Sequence, residues 1–420
     1  PNIMKARLTD KWIYIIAVIN AILLISIWGA EYSGDTESYI AAWDNSWSKG
    51  VMDELRTPIY PMFLGIVKCV FGKYFGLACI ILQCSLLLFS IRYFKQILSW
   101  KVTSQSAIWW LTLAYAILPS TSSWAITLNT EIFAITGIVF LFYNIFKIQH
   151  TAKLSNVCWS TFWLAFLVLL RPSFIYLFPA IAFAWILFFK QYRKIATFGI
   201  IGVCLVGLLE LGYCTKFKEK YGIFAPSSVS TINNVWIAFQ NGLMDPSFTN
   251  NPTYATYIKN HNGNPIPAQE VVNDFGTITV NNSIVSSQKA MPLQWVTTSF
   301  MRFYYASSTW LLAAYTGFGP LTYFFGISIC SLHLFLLLYL IFLVWEMKRN
   351  KRIYRASLIM WTTGVGNLLL IIIGAPDEWG RLLLPSLPLF IIMFGQVFNH
   401  IKFIINPYKK TIEYHESKAN

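Results

Sequence analysis

The segment Glu31-Tyr32-Ser33-Gly34-Asp35-Thr36-Glu37-Ser38-Tyr39 packs three acids into a chain in which only 12% of residues are charged. It is followed by Arg56-Thr57-Pro58-Ile59-Tyr60-Pro61. Ionisable side chains at a membrane face are expensive to keep, so they mark functional positions. Asp35 opens a helical stripe of Tyr39, Trp43 and Trp47, which suits an N-cap beside the positive end of the helix dipole. The same carboxylate, partly desolvated, can take a proton from a hydroxyl as a general base. The two roles are compatible, because a cap also fixes the carboxylate in place. Glu37 reads as a solvated first-turn acid next to it.

Three arginines are candidates for holding an anion. Arg56 is an interfacial anchor at a helix start or a planar fork for a phosphate or carboxylate. Arg171, in Leu169-Leu170-Arg171-Pro172, ends an apolar run, where snorkelling to the interface competes with a ligand role. Arg381 closes Asp377-Glu378-Trp379-Gly380-Arg381; it either pairs with Glu378 at i, i+3 or meets an anionic leaving group. Glu131, at the end of the turn from Pro119, is a helix-start acid or a second carboxylate in the same outward cavity. His261 stands alone in a polar loop and is assigned no role.

These residues need helices to position them. The 420-residue chain is 56% hydrophobic and 17% aromatic, with a mean hydropathy of +0.54. Soluble domains carry about twice this charge. The apolar runs do not alternate as barrel strands do. The sequence therefore predicts an all-α polytopic membrane protein, because lipid admits only self-satisfied backbone. About ten runs are long enough to cross the hydrocarbon layer: 12–30, 76–97, 105–119, 128–147, 157–172, 174–190, 195–214, 320–345, 356–375 and 382–404. The first reads as a retained signal-anchor helix, since no cleavage site follows it.

The organisation that follows is a cytoplasmic N-terminus with the first span (1–30), a first outer loop (31–75) and a helical block (76–214). A second, larger outer loop with an interfacial segment comes next (215–319), then further spans (320–405) and a cytoplasmic tail (406–420). Within 31–75, two amphipathic interfacial helices are expected, the second using Pro58, Ile59, Met62, Phe63, Ile66, Val67 and Val70 as its apolar face. Residues 303–345 hold no charge and are long enough for two spans. Only 320–345 is taken to cross, because two crossings would put Lys348–Arg355 outside.

The net charge of +14 would suit a nucleic acid, but the basic residues gather in short loops between alternate spans, as the positive-inside rule requires. No basic, aromatic-interleaved surface is visible, so no nucleic-acid partner is expected. The seven cysteines lie mostly in apolar runs and imply no disulfide framework. No Cys/His spacing suggests a metal site.

Gly34-Asp35-Thr36-Glu37-Ser38-Tyr39 with Arg56-Thr57-Pro58-Ile59-Tyr60-Pro61-Met62-Phe63-Leu64 resembles the first outer loop of GT-C glycosyltransferases, among them protein O-mannosyltransferase and aminoarabinose transferase relatives. Thr130-Glu131 looks like their second-loop signature, and Glu378…Arg381-Leu-Leu-Leu-Pro385 like a late E-x-x-R-x-x-x-P element. The resemblance implies a sugar transferred from a polyprenyl-phosphate donor to a glycan, lipid or protein acceptor on the periplasmic face of a bacterial inner membrane. It places Asp35 as catalytic acid residue, with Glu131 beside it. Arg381, Arg56 and Arg171 would hold the donor phosphate, and Glu37, Tyr39, Tyr60 and Glu378 would line the substrate site. No cofactor is required; a divalent metal is compatible. One departure is that Thr36 separates Asp35 from Glu37, where a subset of the family has adjacent acids. Two other classes compete: a polymerase or ligase of lipid-linked oligosaccharides, which takes a pyrophosphate donor, and a transporter, which would favour paired half-helices and repeats.

Overall fold

The computed structural model describes residues 2–308, 332–350, 354–375 and 379–405. Among them the chain is helical, and the sole pairing of extended backbone is an isolated parallel bridge between Glu31 and Thr127. Among the described residues, six helical stretches are long and apolar enough to cross a membrane: Asp10–Trp28, Ile59–Ser99, Pro172–Phe189, Arg193–Tyr221, Arg355–Gly374 and Arg381–His400; Leu154–Leu170 is apolar but shorter. The protein is thus an all-α, multi-pass membrane protein.

In chain order, α1 (Asn2–Trp28) leads into the short α2 (Thr36–Asn45) and α3 (Ile59–Phe71). Then come α4 (Phe75–Ser99), α5 (Gln105–Ile117), α6 (Pro119–Ile126), α7 (Glu131–Lys147), α8 (Leu154–Leu170), α9 (Leu177–Phe189) and α10 (Arg193–Tyr221). Among these, α7 is the axis: almost every side chain from Glu131 to Phe146 is buried, against α4 on one side and α8 on the other. A helix apolar all round sits in the middle of a bundle, and α7 reads that way in sequence.

Helix α10 ends at Gly222, whose φ of 78° is the left-handed cap that glycine takes without strain. Beyond it, α11 (Val229–Gln240), α12 (Pro252–His261), α13 (Ala268–Phe275) and α14 (Thr277–Ala290) close over a separate apolar core around Phe239, Tyr254, Ile258 and Val280. The amphipathic α15 (Pro292–Ser308) follows, with Leu293, Val296 and Phe300 exposed on one face. The chain then continues through α16 (Leu332–Asn350), α17 (Arg355–Gly374), the short α18 (Trp379–Leu383) and α19 (Leu387–Ile405). Residues 309–331 and 406–420 lie outside the described residues, as do much of the expected 320–345 span, the tail and Glu378.

One expectation is extended and another is corrected. The buried side of α3 is Tyr60, Pro61, Leu64, Gly65 and Val67, while Met62, Ile66 and Val70 are exposed. At a membrane boundary both faces of a helix can be apolar, so the hydrophobic stripe does not tell core from lipid. The buried side meets α2, and the Trp43 ring lies so close over Gly65 that a Cβ there would sit 1.9 Å from it. The segment 119–126, expected as a turn, is a helix. Pro119 stands at its first position, and Ser120, Thr121, Ser122, Ser123 and Trp124 are all buried. Its hydroxyls turn back on carbonyls of the preceding chain, such as Thr121 Oγ1 to Tyr115 O at 2.6 Å, so the helix buries polar residues at little cost.

Candidate active site

Helices that alternate in direction bring their ends together on one face. On that face α1 runs out toward Asp35, α3 begins just after Arg56, α7 begins at Glu131, α8 ends just before Arg171, and α18 carries Arg381. Backbone ties hold these ends in register. The amide of Glu31 donates to Ile126 O and that of Leu128 to Glu31 O, both at 2.9 Å. Thr36 Oγ1 donates to Leu128 O at 2.7 Å, and Asn129 Nδ2 to Ser33 Oγ at 2.9 Å. The segment bearing Asp35 is thereby fixed beside the turn bearing Glu131. Thr57 Oγ1 donates to Leu170 O at 2.9 Å, satisfying one of the last carbonyls of α8 and drawing Arg56 toward Arg171.

The five side chains form one cluster. Arg56 Nη2 lies 2.6 Å from one oxygen of Asp35, and Arg381 Nη2 lies 2.6 Å from the other. Arg381 Nε stands 3.2 Å from Glu131 Oε1, which Arg171 Nη1 also reaches at 3.3 Å. Glu131 is fully buried (0% exposed), whereas the Asp35 side chain keeps 24% of its surface. Glu131 Oε2 is buried and accepts no hydrogen bond from a described residue. Asp35 does occupy the N-cap position of α2, but its carboxylate makes no cap bond. It is spent on the arginines instead. Burial alone would raise the Asp35 pKa, but the charges of Arg381 and Arg56 and a hydrogen bond from each outweigh it and hold it well below the ordinary carboxylate range.

Arg56 is the most elaborately placed of the three cations. Its guanidinium lies 4.3 Å over the Tyr39 ring, and its Nε donates to Ser38 Oγ at 2.8 Å. Asp53 Oδ1 accepts from the amides of Leu55 and Arg56 at 2.9 and 2.8 Å, and Trp47 Nε1 donates to Arg56 O at 3.1 Å. Behind Tyr39, Tyr60 packs edge-on with ring centroids 5.0 Å apart. The Tyr60 hydroxyl donates to Gln83 Oε1 at 3.0 Å, and Gln83 Nε2 donates to Thr127 O at 2.8 Å. Tyr60 is fully buried, so it offers no face to a ligand. Its expected substrate contact is corrected to a supporting one, because burial and Gln83 consume its hydroxyl. Tyr39 is buried under Arg56 and likewise acts through it. Glu37 is exposed on the far side of α2's first turn.

Sequence reasoning missed Ser38, Gln83, Asp53 and Glu54. Glu54 Oε1 accepts from Ser228 Oγ at 3.0 Å and Thr277 Oγ1 at 2.5 Å, while Ser228 N donates to Glu54 O at 2.9 Å. Lys220 Nζ and the Tyr221 hydroxyl both donate to Met52 O at 2.7 Å. The α11–α14 module is therefore strapped to the short loop that carries Arg56. The density of acids in 53–54, two residues before Arg56, was the available signal.

Among the described residues no three His, Cys, Asp or Glu side chains gather as metal ligands. The cluster's cations are guanidinium groups, which suit a phosphate or carboxylate by planar, two-pronged hydrogen bonding. Next to them, two carboxylates of unlike burial supply acceptors.

No family model matches the sequence, and no curated protein does. Among solved structures, the chain is similar to an oligosaccharyltransferase, AglB from Archaeoglobus fulgidus, solved in complex with an inhibitory peptide and a dolichol-phosphate. The identity is 12% and the TM-score 0.49, over 95% of this chain and 52% of that one. The chain thus spans about half the length of that protein.

Proposed function

We propose that the protein is a membrane glycosyltransferase that moves a sugar from a polyprenyl-phosphate donor to an acceptor hydroxyl on the periplasmic face of a bacterial inner membrane. The observation that carries the proposal is the double clasp on Asp35. Guanidinium groups from Arg56 and Arg381 hold one oxygen each at 2.6 Å. The sequence resemblance to GT-C enzymes falls on these same residues.

A carboxylate held between two arginines is a weak base, because its pKa lies far below the working pH. A phosphodiester arriving from the lipid competes for the guanidinium groups and draws them off. That frees an Asp35 oxygen and relieves the depression of its pKa. Asp35 then takes the proton of the acceptor hydroxyl as its oxygen attacks the anomeric carbon. The bond from that carbon to the phosphate oxygen breaks on the opposite face of the sugar, which inverts the configuration. The bonding pair leaves with the polyprenyl phosphate. Arg381, Arg56 and Arg171 stabilise the charge growing on it, as preorganised donors do where charge develops. Glu131, fully buried, acts through Arg381 and Arg171, which it holds in place beneath the leaving phosphate.

The test is transfer from a polyprenyl-phosphate sugar by purified protein. Asp35→Asn keeps the shape and removes the base, so the rate should fall by about 10²–10⁴. Transfer by that variant at the unaltered rate rejects Asp35 as base. The module of α11–α14 beside the Arg56 loop favours a second reading, a ligase for bulky lipid-linked glycans. Turnover of a pyrophosphate-linked donor, with the monophosphate donor inert, would establish that reading in place of the first.

A further inference from the structure

A second charged site lies at the other end of the same helices. Asp10 on α1, Arg92, Lys95 and Gln96 near the end of α4, and Gln105 at the start of α5 surround a cavity of about 340 Å³. Its floor is apolar, made by Ile13, Ile91 and Ile108, each buried to 1% exposure. From Asp10 to Trp28 the first span has 19 residues. At about 1.5 Å per residue these cover roughly 28 Å, close to the hydrocarbon thickness. The cavity is therefore on the opposite membrane surface from Asp35.

The charges here are arranged to leave one cation over. Lys95 Nζ is paired with Asp10 Oδ1. Arg92 is exposed and has no carboxylate partner among the described residues. Around it the Gln96 and Gln105 amides present further donors. A concave basic site between helices at headgroup depth is the arrangement that binds anionic lipid heads. Below it, Tyr14, which lines the cavity, is followed at i+4 and i+8 by Val18 and Ile22, and all three are exposed on α1. They offer an apolar track running from the cavity into the bilayer. A free anion would have no use for such a track, whereas acyl chains would lie along it.

We propose that this cavity binds the phosphodiester head of an anionic phospholipid, with Arg92 on the phosphate, Gln96 and Gln105 on the glycerol and phosphate oxygens, and the acyl chains on the exposed face of α1. The site is independent of Asp35 and of the sugar-transfer reaction.

The experiment is native mass spectrometry and thermal unfolding of the purified full chain in mixed micelles. The micelles contain phosphatidylglycerol, phosphatidylcholine, or inorganic phosphate without added lipid. Phosphatidylglycerol should be retained on the protein in preference to phosphatidylcholine. Arg92→Gln should reduce that retention about fivefold, the scale expected of one basic residue at an anionic lipid surface. Arg92→Lys should keep most of it. Lys68→Gln, which removes an exposed cation elsewhere, should leave it unchanged. Equal retention of the two lipids overturns the proposal. So does an Arg92→Gln variant that matches Lys68→Gln, or thermal protection by inorganic phosphate equal to that by phosphatidylglycerol.

Discussion

The charged clusters at the two ends of the bundle use the same ingredients to different ends. At the Asp35 end, Glu131 is fully buried and Arg171 and Arg381 are each 10% exposed. At the Arg92 end, Asp10 keeps 42% and Lys95 28% of side-chain surface. Coulombic attraction is several-fold stronger away from water, and so is the penalty for leaving a charge unmatched. The deep cluster is therefore tightly paired and sensitive to any single loss. The shallow one keeps a spare cation cheaply, because water and headgroups screen it. Depth, more than composition, separates the proposed reaction site from the proposed lipid site.

That contrast can be broken by experiment. Arg381→Ala should be the most damaging, since it leaves Glu131 buried with a single cation and releases one oxygen of Asp35. Losing one partner of a buried pair costs about 3–5 kcal/mol, read as a large drop in thermal unfolding temperature in detergent. If Arg92→Ala costs as much as Arg381→Ala, the distinction between deep and shallow is wrong. Next comes acid. The folded pKa of Asp35 is depressed, so its contribution to stability is present above the unfolded value near 3.9 and fades as pH falls below it toward the folded value. Donor-free protein should unfold at a steady temperature from pH 8 to about pH 5. Below about pH 4 Asp35→Asn should lose less stability than the parent.

Glu54→Ala removes the acceptor of two hydroxyl bonds between the α11–α14 module and the Arg56 loop. About 1–3 kcal/mol of local stability should go with it. Hydrogen exchange should rise in 52–57 and 222–231 while α7 stays protected. Protection in 52–57 that is unchanged would show that the module does not hold Arg56. The smallest effect is Arg92→Gln measured without lipid, within about 0.5 kcal/mol of the parent, as for an ordinary surface change.

Much of this architecture was legible from the sequence for one physical reason. Lipid forces long apolar helices, and any charge kept beside them stands out. Asp35, Arg56, Glu131, Arg171 and Arg381 were all visible that way, and the structure brings them into a single cluster. Their pairing was not visible. Asp35 takes one partner 21 residues away and the other 346 residues away, and no local pattern encodes that choice. The supporting residues were hidden for a related reason. Gln83 sits in an apolar run, and Ser38 in a polar one, as unremarked single positions; each matters only through a distant neighbour. Helix α6 was missed because its buried polar residues look like a loop, since their hydroxyls donate to carbonyls of the preceding turn, a pairing that leaves no mark in the sequence.

The span of 346 residues between Asp35 and Arg381 also sets a clock on biogenesis. A ribosome adding about 5–20 residues per second delivers Arg381 roughly 20–70 s after Asp35. Once Arg56, Glu131 and Arg171 have followed, the nascent chain still lacks the second clamp on Asp35, and Glu131 waits with Arg171 alone. The centre closes only when the final segments have been threaded into the bilayer, so a product stalled before them leaves Asp35 clasped on one side alone.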